Sequence, residues 1–224
     1  MSISAIVKKA LGKVQEETSL SALIREYYRK HGYEWQEANI IAIRDVSKKN
    51  DNTFSDCLAV VTDDEVSAYV CTAVPGTTWT DETRKKWKIS QEGVFCLGFY
   101  PKLWTFGQHH GRALKQVGPC NWYIDADKDK KQGAKEKVYR DSICGMNVHR
   151  KPQDGAKEVG FASAGCIVTR YHSDLDDFLK RLGWVSATAP KKTFTGSGSS
   201  SLFQNVLRAS ANRSVILCER RVTR

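Results

Sequence analysis

"FASAGCIVTRYHSDLDDFLKRLG", residues 161–183, changes its hydrophobic period halfway along, and that change decides the fold class. The small residues of 162–165 lead into Cys166, Ile167, Val168 and Thr169, a short β-branched run that reads as a strand. From Ser173 onward Leu175, Phe178, Leu179 and Leu182 recur at helical spacing. Ser173 is placed to cap that helix, Asp176 sits three residues on, and Gly183 ends it. A strand followed closely by a helix predicts a mixed architecture.

Upstream, the strand style dominates. "ANIIAIRDV" (38–46), "DCLAVVTD" (56–63) and "EVSAYVCTAV" (65–74) are short, β-branched and separated by turn-forming polar runs. "GVFCLGFY", "CNWYID" and "GMNVHR" continue it, so the middle of the chain is mainly β, with flanking helices. At the N-terminal end, residues 3–31 carry two amphipathic stripes, Ile3 to Val14 and Leu20 to Tyr28, which predict two packing helices. Residues 186–201, "SATAPKKTFTGSGSSS", have the composition of a linker. Residues 202–224 follow with Arg208, Arg213, Arg220, Arg221 and Arg224 around a short apolar face, either a docked helix and strand or a basic tail. The expected organisation is an N-terminal helical extension (1–38), a main α+β domain (39–185), the linker (186–201) and the basic segment (202–224).

Composition limits the function. Lys and Arg number 35 against 25 Asp and Glu, a net charge of +10 that favours anionic partners. Seven cysteines, an odd number without CxxC spacing, argue against a disulfide framework and a zinc cluster, and nothing in the sequence asks for a cofactor or a metal. The charge-studded N-terminal stretch has neither a signal-peptide core nor a membrane span. No nucleic-acid recognition motif accompanies the charge, so no specific nucleic acid is expected. "DADKDKKQGAKE" (125–136) mimics a calcium loop, but Lys130 replaces its glycine and lysines crowd it, so it reads as a solvated hairpin turn.

The candidate chemistry lies at Cys166. "GMNVHR" is a strand ending in His149, the polar loop 151–160 follows, and the chain returns through "FASAGC". Adjacent strands joined this way bring His149 and Cys166 to one end of a sheet. An imidazole there takes the thiol proton and stabilises the thiolate as an ion pair. Gly165 allows a sharp turn and lets a substrate carbonyl approach local N–H groups.

"NVHR", the loop and "SAGC" resemble the His and Ser-x-Gly-Cys signature of L,D-transpeptidases, cysteine enzymes acting on peptidoglycan stem peptides. "PGTTW", "GVFCLGFYPKLWTFGQHHGRALKQ", "IDADKD", "GMNVHR" and "VGFASAGCIV" are similar, in order, to a phage-associated branch of that family over residues 39–185. The resemblance implies a β-sandwich-like catalytic domain with Cys166 as nucleophile and His149 as base then acid. It also implies oxyanion donors around Gly165 and Cys166, and Ser163 positioning the turn or a substrate. A stem-peptide thioester would pass to water or to an amine. The family's histidine between Ser and Gly is Ala164 here and its following arginine is Val168; Arg170 substitutes only if the chain turns helical there.

His109 matches a histidine of the same branch and is expected in the cleft; His110 is read as bland, and Trp104 as a groove-lining candidate. The expected partners are stem peptides and anionic envelope polymers, with a delivery machinery or an immunity protein beside them. The resemblance implies a phage lysis enzyme or delivered antibacterial toxin, made in the cytoplasm and acting on the wall after lysis, holin passage or dedicated secretion. A catalytically inactive wall-binding or virion structural protein is the alternative.

Overall fold

The strand Asp56–Val61, DCLAVV, is buried at all six positions: Cys57–Val61 is apolar on both faces, and the buried Asp56 carboxyl accepts the Asp45 and Ala73 N–H groups. Its alternate residues enter two different cores. Leu58 and Val60 join a large cluster with Ile40, Trp104, Leu114 and Phe178, whereas Cys57, Ala59 and Val61 join a second with Ile24 and Tyr28. This period-2 partition places a sheet between two layers.

The computed structural model describes residues 20–47, 49–186 and 188–198. In chain order these form α1 (Leu20–Lys30), β1 (Asn39–Ile43), β2 (Asp56–Val61), β3 (Val66–Thr72), α2 (Asp81–Trp87) and β4 (Val94–Phe95). There follow β5 (Gly98–Gln108), β6 (Arg112–Gln116), β7 (Cys120–Tyr123), β8 (Val138–Ser142) and β9 (Val148–Arg150). A 3-10 turn at Gly160–Ala162 then leads to β10 (Ile167–Thr169), α3 (His172–Arg181) and β11 (Thr193–Gly198). The first of the two expected N-terminal helices and the basic segment 202–224 lie outside the described residues.

The protein is mainly β with flanking helices, but the expected sandwich is replaced by a closed barrel in the order β1-β11-β5-β6-β9-β10-β3-β2. Closure pairs every barrel strand on both sides, which leaves the barrel itself no open edge. β11 makes the closure, running parallel to β1 (Ile40 opposite Gly196) and antiparallel to β5 (Phe194 opposite Trp104). The stretch expected as a linker therefore supplies a barrel strand. Its glycine content has a packing cause: a Cβ on Gly196 would lie 2.4 Å from the Trp104 ring.

Two helices cover the barrel. α1 lays Ile24 and Tyr28 on the outer face of β1 and β2, and its Tyr28 hydroxyl meets Ser197 Oγ at 2.5 Å on β11. Burial of each such side chain contributes about 1.5–3 kcal/mol. α3 sets Leu175, Phe178 and Leu179 into the large cluster and packs against β2, β3, β9 and β10. It starts one residue before the expected cap: Ser173 lies inside the helix, and Asp154 Oδ1 accepts the His172 N–H at 2.7 Å. A separate three-stranded sheet, β4-β7-β8, stands beside the barrel.

Candidate functional site

The turn before β10 is held from within by Ser163. Its side chain is fully buried; Oγ accepts the Gly165 N–H at 3.1 Å and donates to the Cys166 carbonyl at 2.8 Å. The Ser163 carbonyl accepts from Gly76 N–H (3.0 Å) and Trp79 Nε1–H (2.7 Å), and the Ala164 carbonyl accepts from Gly93 N–H at 2.9 Å. Gly165 has φ +143°, and a Cβ there would lie 2.7 Å from the Gly93 carbonyl oxygen and 3.1 Å from Met146 Cε. Both backbone conformation and space therefore demand glycine. One expectation changes: the Gly165 N–H assigned to an oxyanion is already engaged with Ser163.

Cys166 directly precedes β10, so its backbone is fixed by the sheet, and its half-buried thiol contacts the Gly145 carbonyl at 3.5 Å. β9 runs parallel to β10 with His149 opposite Val168, which places the histidine beside the start of the cysteine strand. His149 is buried; its Nδ1 lies 2.9 Å from the Arg150 carbonyl. A carbonyl only accepts, so Nδ1 carries the proton and the Nε2 lone pair is left free. That buried Nε2 has no hydrogen-bond partner among the described residues. A ring nitrogen of His149, one of His109 and Cys166 Sγ all lie within 4.8 Å of one another.

The histidines come from two places. His109 and His110 form the β5–β6 turn, where His109 N–H donates to the Gly111 carbonyl at 2.8 Å and His110 adopts φ +55°. Ring centroids are 4.6 Å apart for His109 and His149, and 6.3 Å for His110 and His149. Burial pushes His149 down to about 4, with His109 and His110 adding to the effect. Burial also lowers His109. Burial likewise pushes the Cys166 thiol up to about 11 despite its access to the cleft, and the Asn147 backbone only partly opposes this. Burial of both groups thus favours a neutral thiol beside a neutral imidazole at rest over the expected ion pair.

These groups floor a cleft of about 650 Å³. Trp79, Trp87, Trp122 and Phe161 line it, and Lys88 and Lys151 add positive charge. Trp122 comes from the small sheet, stacked on Tyr139 at 4.0 Å, with its Nε1–H donated to Ser142 Oγ at 2.7 Å. Trp79 and Phe161 meet edge to face at 5.2 Å. Cys144 and His110 also line the cleft; the sequence reading gave neither a role, and no local spacing distinguishes them.

Of the sequence-predicted residues, Cys166, His149, Gly165 and His109 meet in this cleft, and Ser163 supports it from below. Trp104 does not line it. It is buried in the barrel, where its Nε1–H donates at 2.8 Å to the carbonyl of Met146, a cleft residue it thereby positions. Arg170 does not line it either. Residues 167–169 form a strand, not a helix, and the guanidinium Nε donates to the Ala156 carbonyl at 3.1 Å. The 125–136 loop is not wholly solvated, because Lys130 is buried with Nζ 2.8 Å from Ser55 Oγ and 3.6 Å from Asp56. Asp125 and Glu136 accept backbone N–H groups of their own loop, including those of Lys130 (3.0 Å) and Gly133 (2.7 Å).

No family model, curated protein or solved structure matches the chain. No helix among the described residues is long and apolar enough to cross a membrane.

Proposed function

We propose that this chain is a cysteine acyl-transfer enzyme of the L,D-transpeptidase kind, acting on the stem tetrapeptides of peptidoglycan. The observation that carries the reading is the convergence of Cys166 Sγ and a His149 ring nitrogen within 4.8 Å on the floor of an open cleft. Such pairs stand loosely apart before substrate enters and tighten in the complex. The ordered motifs that resemble the family add the substrate class, and the lysines and net charge of +10 suit an anionic wall.

The neutral resting pair dictates general-base rather than ion-pair chemistry. As Sγ attacks the carbonyl of the stem's diamino acid, the thiol proton passes to His149 Nε2, leaving Nδ1–H on Arg150. The Cys166 N–H takes the place of Gly165 as the oxyanion donor. Collapse breaks the C–N bond; Nε2 returns the proton to the departing D-residue's amine, and a thioester remains. Water or an amine then attacks, gives its proton to Nε2 and restores the thiol. The aromatic walls hold the glycan and peptide. The family's phage-associated branch points to a lysis enzyme or delivered toxin that reaches the wall by lysis, holin passage or dedicated secretion.

A second reading, a catalytically silent wall-binding protein, draws on the same raised thiol and lowered imidazole. Mass spectrometry of tetrapeptide muropeptides incubated with wild type and Cys166→Ala under reducing conditions separates the two. Loss of the terminal D-residue, a cut crosslink or a new one, seen only with the intact cysteine, is the expected result. Unchanged muropeptides bound equally by both proteins would favour the second reading.

A further inference from the structure

The sequence has no metal-binding spacing, yet the fold gathers a donor set from three distant segments. His109 arrives on the β5–β6 turn, His149 on β9 and Cys166 at the head of β10, with one ligand atom of each within 4.8 Å of the others. The His149 Nε2 is an independent pointer to a ligand. It is a buried, unpartnered acceptor on the cleft floor, in a residue only 2% exposed. Leaving such an atom without a partner is unfavourable, and a bound ligand removes that cost. The Nδ1–H bond to the Arg150 carbonyl is the outer-shell contact that fixes the tautomer of metal-binding histidines.

We propose that His109, His149 and Cys166 form a zinc site, with the fourth position open to the cleft. Two imidazoles and a thiolate without a carboxylate suit zinc and disfavour calcium and magnesium, which take oxygen ligands. Tetrahedral zinc with bonds of about 2.0–2.3 Å sets its ligand atoms roughly 3.3–3.8 Å apart. Separations that do not exceed 4.8 Å leave a closure of at most about 1.5 Å to complete the site. Binding replaces the thiol S–H bond by an S–Zn bond, releases one proton to solvent and takes one lone pair from each imidazole; no electron is transferred. On the acyl-transfer reading above, on which this consequence alone rests, zinc occupies both nucleophile and base. The metal then holds the enzyme inactive until it is withdrawn.

The test uses the full chain, stripped with a chelator and then titrated with Zn2+ by calorimetry and with Co2+ by absorbance. Expected are one ion per chain and a thiolate-to-cobalt charge-transfer band in the near ultraviolet. The band disappears in Cys166→Ser and persists in Cys144→Ala, and His109→Ala weakens binding at least tenfold, each variant being checked for native circular dichroism. A band that survives Cys166→Ser, or no binding by the wild type, overturns the site. Muropeptide turnover distinguishes the two proposals. Chelated protein that is active and unaffected by Zn2+ refutes the metal site and leaves the enzyme; protein that binds zinc through these residues but is inert after chelation refutes the enzyme and leaves the site.

Discussion

Replacing Gly165 by alanine tests the turn that presents the nucleophile. Two separable costs are expected. The backbone at φ +143° lies where L-residues are strained by about 1–3 kcal/mol. The new Cβ would also sit 2.7 Å from the Gly93 carbonyl oxygen, a backbone atom that cannot swing aside as a side chain does. Gly93 is itself pinned: its N–H is bonded to Ala164 at 2.9 Å, and a Cβ on it would meet Trp122 at 2.4 Å. Overpacking of this kind costs about 1–3 kcal/mol more. Gly183 supplies the control, since its φ of +104° is also unfavourable but a Cβ there meets nothing within 4 Å. Gly183→Ala should lose only the first amount, and Gly165→Ala roughly 2–6 kcal/mol in all. In a chain of about 150–250 residues each kcal/mol lowers Tm by about 2–4 °C. Urea and thermal unfolding of both variants would measure the gap, and muropeptide turnover would report the displaced sulfur. A Gly165→Ala protein no less stable than Gly183→Ala refutes the collision argument.

Three further outcomes follow from the site. His149 is held near 4 against an ordinary 6.5, so the unfolded chain binds its proton first as pH falls. That stability is complete above pH 6.5 and is lost toward pH 4, by at most about 3 kcal/mol at 1.36 kcal/mol per unit; His149→Asn should flatten this part of the stability profile. The thiol pKa of exposed Cys144 is lowered, chiefly by a hydrogen bond with the free Cys120 thiol, while that of Cys166 is pushed up to about 11 by burial. Iodoacetamide at neutral pH, with chelator and no substrate, should therefore label Cys144 well before Cys166, and peptide mapping that finds the reverse order would disprove the neutral thiol. Ser163→Ala leaves the Gly165 N–H and Cys166 carbonyl without their buried partner and should cost about 1–3 kcal/mol in urea unfolding; an unchanged midpoint would contradict the assigned role.

The sequence made some of this legible because the physics was local. The apolar face of α3 follows from its period, and strand 56–61 from a short β-branched run bounded by polar turns. The meeting of His149 and Cys166 is legible only in part, because β9 and β10 run parallel with Val148 opposite Ile167, which takes a crossover through residues 151–166 rather than a simple return of the chain. What depended on distant partners was not legible. Trp104 reads as a groove residue from its neighbours in sequence, whereas Phe194 and Gly196 of β11, distant in the chain, cover it in the barrel. Thr193–Gly198 looked like a linker because the small residues that fit beneath an indole are also those that make chains flexible. The cap of α3 came from Asp154 in a preceding loop rather than from neighbouring Ser173. His110 gained its place only when the β5–β6 turn was set over β9.

The position of β11 also governs the order of assembly. Until residues 193–198 leave the ribosome, β1 and β5 present unpaired edges to each other and to any other extended chain. Pairing Ile40 with Gly196 closes a very long loop, a slow step in folding. A nascent chain thus passes through a window in which it is prone to aggregate. In that window the strands that carry His109, His149 and Cys166 are already neighbours in the order β5-β6-β9-β10, and only the outer edges of β1 and β5 await closure. The same architecture means that a single cut between α3 and β11 would leave the closing strand held by its pairing alone, so that its loss would reopen the edges of β1 and β5.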